Sequence, residues 1–356
     1  MSEFSFTLAN IVQTLFIFLG ILGGALLFEK QRFKGVVLLL AYFTLLMTFN
    51  LLEERDISKQ FLFITPSFTL LMGPILYFMV MSLASAPGLS HWNWLKHCIP
   101  ALLSIPFTSH LQWVVALGSI SQLMYLVASY RLLQRYDLAV FNSRSDAEAL
   151  QLGWVTSASI VIIGFLVVDM VRLNIRPLLD NDVYYSWYLV DLNILFLICC
   201  YLLVKSVKQP ELFDGLTDYE SSEGEKDFAK KVAKKAAEGE QKLLAMQLFE
   251  VIDKKITSNQ LYKTPKLTVQ QVAEEACVAV KETSWAINQV SGRNFNDYIN
   301  GLRIEAVKQQ LKAEAGTGPS ILDIAMECGF NSKSTFNLAF KKLENMTPTQ
   351  YAKNGN

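Results

Sequence analysis

Two short runs near the C-terminal end of the chain carry the side chains with the most definite chemistry. One holds Lys281, Glu282, Trp285 and Gln289; the other holds Ser332, Lys333, Thr335, Asn337, Lys341 and Lys342. Spacings of three and four residues gather each set toward one side of a helix. Lysine ammonium groups and hydroxyls suit the phosphate oxygens of DNA, while Asn and Gln can bond adenine edges and an indole can pack on a thymine methyl or a sugar. Neither run contains an arginine, so bidentate contacts to guanine are missing. A helical face of this kind also serves for protein contact, and that alternative stands at this point.

A pair of helix-turn-helix patterns must position these residues. In Leu267–Cys277, Thr268 with Gln271 three residues on makes a capping box, so a helix begins there. Val269, Val272, Ala273 and Ala276 line its apolar side. Val278-Ala279-Val280 reads as the turn, and a second helix to about Val290 buries Thr283, Ala286 and Ile287. A long connecting helix is expected from about Asn294 to Lys312. The plan then repeats: Ser320 and Asp323 cap, Ile321, Ile324 and Ala325 face inward, and Gly329 ends the helix by accepting a positive φ. Phe330 plugs the turn, and Ser332 caps a last helix that buries Phe336 and Phe340.

On these residues the stretch 246–353 resembles the DNA-binding domain of the AraC/XylS family of bacterial transcription regulators. The resemblance rests on Phe295-Asn-Asp-Tyr-Ile-Asn300 with Arg303, Asp323-Ile-Ala, Gly329-Phe330, Ser334-Thr-Phe336, Phe340-Lys341 and Thr347-Pro348. It implies seven helices, with two recognition helices entering successive major grooves of double-stranded DNA about 34 Å apart. It also implies regulation of transcription, with a homodimer as a further possibility. Four positions depart from the family pattern. Trp285 and Leu338 stand where Arg is frequent, Ala279 where Ser caps, and Asn345 where Gly is common.

The front of the chain is oily. Apolar stretches at roughly 6–28, 35–52, 61–83, 111–133, 154–172 and 184–204 approach the length of a membrane span, and a shorter one covers 97–108. Charge favours counting all seven. With the N-terminus outside, inner loops hold Lys30, Arg32, Lys34, Lys96, Arg131, Arg135, Arg144, Lys205 and Lys208, whereas outer loops hold only Arg55, Lys59, Arg172 and Arg176. Glu3 in place of a basic region, ahead of a long apolar run, reads as a retained first span and not a cleaved signal. Gly20 and Gly24 form a GxxxG pattern suited to helix packing. The expected fold is therefore all-α: a seven-helix transmembrane bundle over 1–208, a juxtamembrane linker over 209–240 containing Lys230–Lys235, and a double helix-turn-helix domain over 241–356.

Polar groups within the spans gather toward the outer side: Asp191, Asn193, Asp169, Arg172 and Asn50. They are candidates for a site that reads a small molecule or a membrane signal, with a structural hydrogen-bond cluster as the alternative. The whole chain is neutral. From residue 241 onward 14 basic residues face 11 acidic ones, a weak surplus for a nucleic-acid partner. Cys98, Cys199, Cys200, Cys277 and Cys328 lack zinc or disulfide spacing and read as reduced thiols, the last two at buried positions. No cofactor, metal or enzymatic motif is expected. A regulator in the bacterial inner membrane, its DNA-reading end in the cytoplasm, is the leading reading; a transporter with a regulatory domain is the other alternative.

Overall fold

The computed structural model describes residues 7–54, 63–84, 91–108, 110–150, 152–175, 178–209, 212, 238–313 and 319–354. The Lys230–Lys235 run and the outer-loop residues Arg55, Lys59 and Arg176 lie outside these. Every regular element among the described residues is helical, with one isolated antiparallel bridge between Arg144 and Thr268. The chain packs as two compact units: Met1–Arg135 with Leu152–Asp214, and Tyr136–Gln151 with Gly215–Asn356.

The first unit contains α1 (Leu8–Leu27), α2 (Lys34–Glu54), α3 (Phe68–Ala84), α4 (His91–Ser104), most of α5 (Leu111–Ser143), α7 (Gly153–Ile175) and α8 (Asn181–Lys208). Among the described residues, five helical segments are long and apolar enough to cross a membrane: Leu8–Leu27, Gln31–Glu54, Thr65–Ala84, Leu111–Ser143 and Asn181–Lys208. Gly153–Asp169 is a shorter apolar stretch. The segment expected over 97–108 is a helix that begins earlier, at His91, carries Pro100 inside it, and gives way to a 3-10 turn over Ile105–Phe107.

Helices α1 and α2 pack closely because Gly20 has no side chain: a Cβ there would stand 1.9 Å from Thr44 Oγ1 and 3.0 Å from the Leu40 carbonyl. Gly24 faces open space, whereas a Cβ on Gly23 would meet Leu40 and Leu203. The tight seam is thus Gly20 with Gly23. The Gly20–Gly24 spacing read from the sequence put the second glycine one residue too far along. Phe16 lies in the same seam, its ring 5.7 Å from Phe43 and 5.2 Å from Phe196.

The second unit contains α6 (Ala147–Leu150), α9 (Glu238–Ser258), α10 (Val269–Ala276), α11 (Val280–Ser291), α12 (Phe295–Ala313), α13 (Ile321–Glu327), α14 (Lys333–Glu344) and α15 (Pro348–Asn354). Local signals set the boundaries. Thr268 and Gln271, then Ser320 and Asp323, form reciprocal capping boxes, and Ser332 accepts the Thr335 amide at 3.1 Å. Two cores result. Ile252, Ile256, Val272, Ala286, Ile287, Phe295 and Ile299 form one. Ile304, Val307, Ile324, Phe330, Phe336 and Phe340 form the other. Helix α12 contributes to both, so it is the beam that joins them.

Arg303, on that beam, is 1% exposed. Its guanidinium donates to the carbonyls of Tyr262 (2.6 Å), Thr264 (2.8 Å) and Ser145 (3.4 Å), to Ser145 Oγ (3.1 Å) and to Asn300 Oδ1 (3.1 Å). The Phe330 ring centroid lies 5.6 Å from it. Tyr298, also on α12, donates to Asp253 on α9. Burial, and then this carboxylate, push its phenol well above the usual range.

Gly329 has φ +97°, and a Cβ there would stand 2.6 Å from the Tyr262 carbonyl. Gly329→Ala is expected to cost about 1–3 kcal/mol of backbone strain, read as a lowered unfolding midpoint of the purified chain. Asn345 (φ +55°) tolerates the same left-handed region, so Asn345→Gly should leave the midpoint nearly unchanged.

Candidate nucleic-acid interface

In the first helix-turn-helix, Cys277 closes α10 in the left-handed region and α11 starts at Val280. The turn is therefore Cys277–Ala279, one residue earlier than the sequence reading. Cys277 is exposed, contrary to the expectation of burial: as the helix cap its side chain leaves the apolar face. Ala279 makes no side-chain cap bond. Glu282 and Gln289 are exposed, and Lys281 is half-buried. Trp285 is also half-buried and packs against the first core, so only part of the indole is available outward. Ser284 Oγ is buried without a hydrogen-bond partner.

In the second, α14 exposes Lys333, Ser334, Asn337, Leu338, Lys341 and Lys342. Thr335, expected on the outer face, is instead 3% exposed. Ser332 Oγ lies 2.9 Å from its hydroxyl and accepts its amide, which makes it part of the helix cap. Ser332 is half-buried in that role. Lys342 Nζ is 2.6 Å from Asp297 Oδ1 on α12, so this lysine is tied down although its side chain stays 54% exposed. Ser334 and Leu338 were not among the expected contact residues; Ser334 lies one residue before Thr335, and its exposure fixes the true phase of the face. Charge is thus unequal between the two readers. The second carries Lys333 and Lys341 outward, whereas in the first Lys281 stands beside the acidic Glu282 in sequence.

Among the polar residues expected to sense a signal, the first unit brings Asp169, Arg172 and Asp191 together. Arg172 Nε donates to Asp169 Oδ1 and lies 3.0 Å from Asp191 Oδ2. Because its N–H is directed at Asp169, Asp191 Oδ2 is left without a hydrogen bond, as is Arg172 Nη1. The guanidinium carbon is 4.9 Å from the Tyr184 ring and 5.6 Å from the Tyr188 ring. Tyr188 OH in turn accepts Gln13 Nε2 at 2.9 Å, and Glu54 accepts both Gln13 (2.8 Å) and Asn10 (2.7 Å). Asn193 does not join: it is exposed and bonds the Leu189 carbonyl of its own helix. Asn50 is half-buried on α2 and outside this set of bonds. Asn10, Gln13 and Glu54 escaped the sequence reading because they sit at span ends, where polar residues are ordinary. Two carboxylates, Asp169 and Asp191, thus share one guanidinium.

Two helix-turn-helix motifs joined by one long helix, each with an outward recognition face, define a double helix-turn-helix reader. Residues 261–354 match the family model described as a helix-turn-helix domain. This matched stretch is an AraC/XylS-type helix-turn-helix domain. The melibiose operon regulatory protein of Escherichia coli (strain K12) is 36% identical over 87 residues, 24% of this chain and 28% of that protein. The HTH-type transcriptional regulator ArgR of Pseudomonas aeruginosa is 29% identical over 84 residues, 24% of this chain and 25% of that protein. The probable transcription factor PqrA of Proteus vulgaris is 29% identical over 97 residues, 27% of this chain and 76% of that protein. The match thus covers about a quarter of the length of the first two relatives. No solved structure matches significantly.

Ala279→Ser restores the missing cap of α11 and is expected to stabilise the chain by about 1 kcal/mol. A denaturant titration that shows no gain would mean the α11 N-terminus is satisfied by other means.

Proposed function

We propose that this chain is a membrane-embedded one-component transcriptional regulator. A multi-pass bundle in the bacterial inner membrane would receive a small-molecule or membrane signal from outside. The helix-turn-helix unit, on the cytoplasmic side, would bind specific promoter DNA. The observation that carries the reading is the pairing of two capped helix-turn-helix motifs on one beam, in a chain whose other half holds five helices apolar enough to span a bilayer. The surplus of basic residues in alternate loops supports the inward orientation of the C-terminal unit. A homodimer is compatible with this reading, since paired half-sites are the usual way such readers gain specificity.

On the DNA, the exposed lysines Lys333 and Lys341 would contact phosphates, and Asn337 a base edge. Each Lys→Ala change should weaken binding to all sequences alike and lower the salt slope by about one, while Asn337→Ala should relax discrimination at one base position by about 1–3 kcal/mol. Trp285→Ala should weaken binding if its exposed edge meets the duplex. Capture of sheared genomic DNA on the full chain in nanodiscs, at two salt concentrations, tests the reading. Enrichment of one site with paired elements about 10 base pairs apart, weakening as salt rises, is expected. Absence of any enriched site would contradict it.

A second reading has an observation of its own. Leu338 is 56% exposed in the middle of the α14 face, and neither recognition helix carries an arginine. A protein-contact role for the unit predicts retention of a partner protein together with salt-independent indifference to DNA.

The signal site we assign to the Arg172 cluster. A buried guanidinium and carboxylate with unfilled hydrogen bonds are costly to maintain in a bilayer, and intramembrane ionisable groups mark function more often than packing. Asp191→Asn keeps the shape and removes the charge. It should fix reporter output at one level whatever signal is applied, without altering DNA affinity in the purified chain. A variant that still responds normally would remove the cluster from the sensing role.

A further inference from the structure

The connection between α5 and α7 packs as part of the helix-turn-helix unit, and its contacts there are specific. Tyr136–Gln151 belongs to the same compact unit as residues 215–356. Within it, Ser145 and Ala147 are fully buried and Asp146 is 2% exposed. A polar loop that merely joined two spans would lie in water, where hydrated Ser and Asp cost nothing.

Each of three consecutive residues reaches an element that governs DNA reading. Arg144 forms an antiparallel bridge with Thr268, the cap of α10. Ser145 donates its amide to the Leu267 carbonyl at 3.0 Å and accepts Arg303 through both its carbonyl and its hydroxyl. Asp146, paired with Arg144 at 2.9 Å, accepts Asn331 Nδ2 at 3.5 Å, one residue ahead of the Ser332 cap of the second recognition helix. The segment therefore holds the entry of the first helix-turn-helix, the entry of the second recognition helix, and the arginine of the beam that joins them. A short internal brace, Tyr136 OH to the Leu150 carbonyl at 2.9 Å, fixes the two ends of the segment.

We propose that Arg144–Asp146 is a docked part of the DNA-reading unit that sets the register of its two helix-turn-helix motifs. The docking site on that unit is the groove at Leu267, Arg303 and Asn331, and its occupant is this segment of the same chain. Because α5 runs unbroken from Leu111 to Ser143 and α7 begins at Gly153, the segment is one covalent route by which a displacement of those helix ends would reach the groove. That step rests on the regulator reading above; the docking itself does not.

The test uses the full chain in nanodiscs with two substitutions. Ser145→Pro removes the amide that bonds Leu267, and Asp146→Ala removes the acceptor of Asn331 and the partner of Arg144. Hydrogen exchange followed by mass spectrometry reads the docking. Exchange over 262–268 should rise about tenfold or more in either variant as local opening becomes easier. Equilibrium binding to duplexes with half-elements 9, 10, 11 and 12 base pairs apart reads the register. The parent chain should prefer one spacing, and the variants should bind all of them within about threefold of each other. Unchanged exchange over 262–268 in both variants overturns the docking. Lost protection with an intact spacing preference overturns the role in register. Should Ser145→Pro fail to fold, Asp146→Ala decides alone. If the parent chain binds no duplex at all, the regulator reading fails, and the exchange result still decides the docking.

Discussion

The C-terminal unit depends on where the Arg303 guanidinium puts its hydrogen bonds. A charge that is almost wholly removed from water is tolerable only if most of its donors find acceptors. Here they find the backbone carbonyls of Tyr262, Thr264 and Ser145 and the side-chain oxygen of Asn300. Those acceptors come from the turn before α10, from the 144–146 segment and from α12 itself. One side chain thereby fastens three separate stretches of chain at the midpoint between two cores. The two cores are separate clusters, and their mutual orientation needs more than the apolar packing inside each. Directional bonds supply it.

The two readers held in this way are not equivalent. The second presents two free-standing lysines on a helix whose N-terminus is capped by Ser332 and Thr335 together. The first presents a half-buried indole, Gln289 and a Lys281 next to Glu282, on a helix with no side-chain cap. Phosphate attraction scales with the number of neutralised charges. On this account the second motif supplies most of the affinity, and the first contributes shape and apolar contact. Correct spacing between them then matters more than it would for two strong readers. Tethering to a bilayer would further restrict which DNA segments the pair can approach.

How much of this was legible in the sequence follows from range. Capping boxes at Thr268/Gln271 and Ser320/Asp323, the left-handed Gly329 and Asn345, and the apolar faces of α10 and α13 are set by residues within one helical turn, and all were readable. So was the proximity of Asp169 to Arg172, three positions apart. Failures began where a partner lay far along the chain. Lys342 is exposed as expected, but its bond to Asp297, 45 residues upstream, lay beyond any local pattern. Thr335 was assigned outward because its hydroxyl suited phosphate, although its phase in the helix pointed inward. The bonds from Gln13 to Glu54 and Tyr188, and from Arg303 to Ser145, join stretches 41 to 175 residues apart. No periodicity encodes them.

The central claim is that one rigid beam carries two helix-turn-helix readers at a fixed separation along DNA. Hydroxyl-radical footprinting of the full chain on its enriched genomic site tests it most directly. The account predicts two protected patches on one side of the duplex, about one helical turn apart, with the stronger protection under the α14 motif. A single protected patch, or two whose separation varies from site to site, would contradict it.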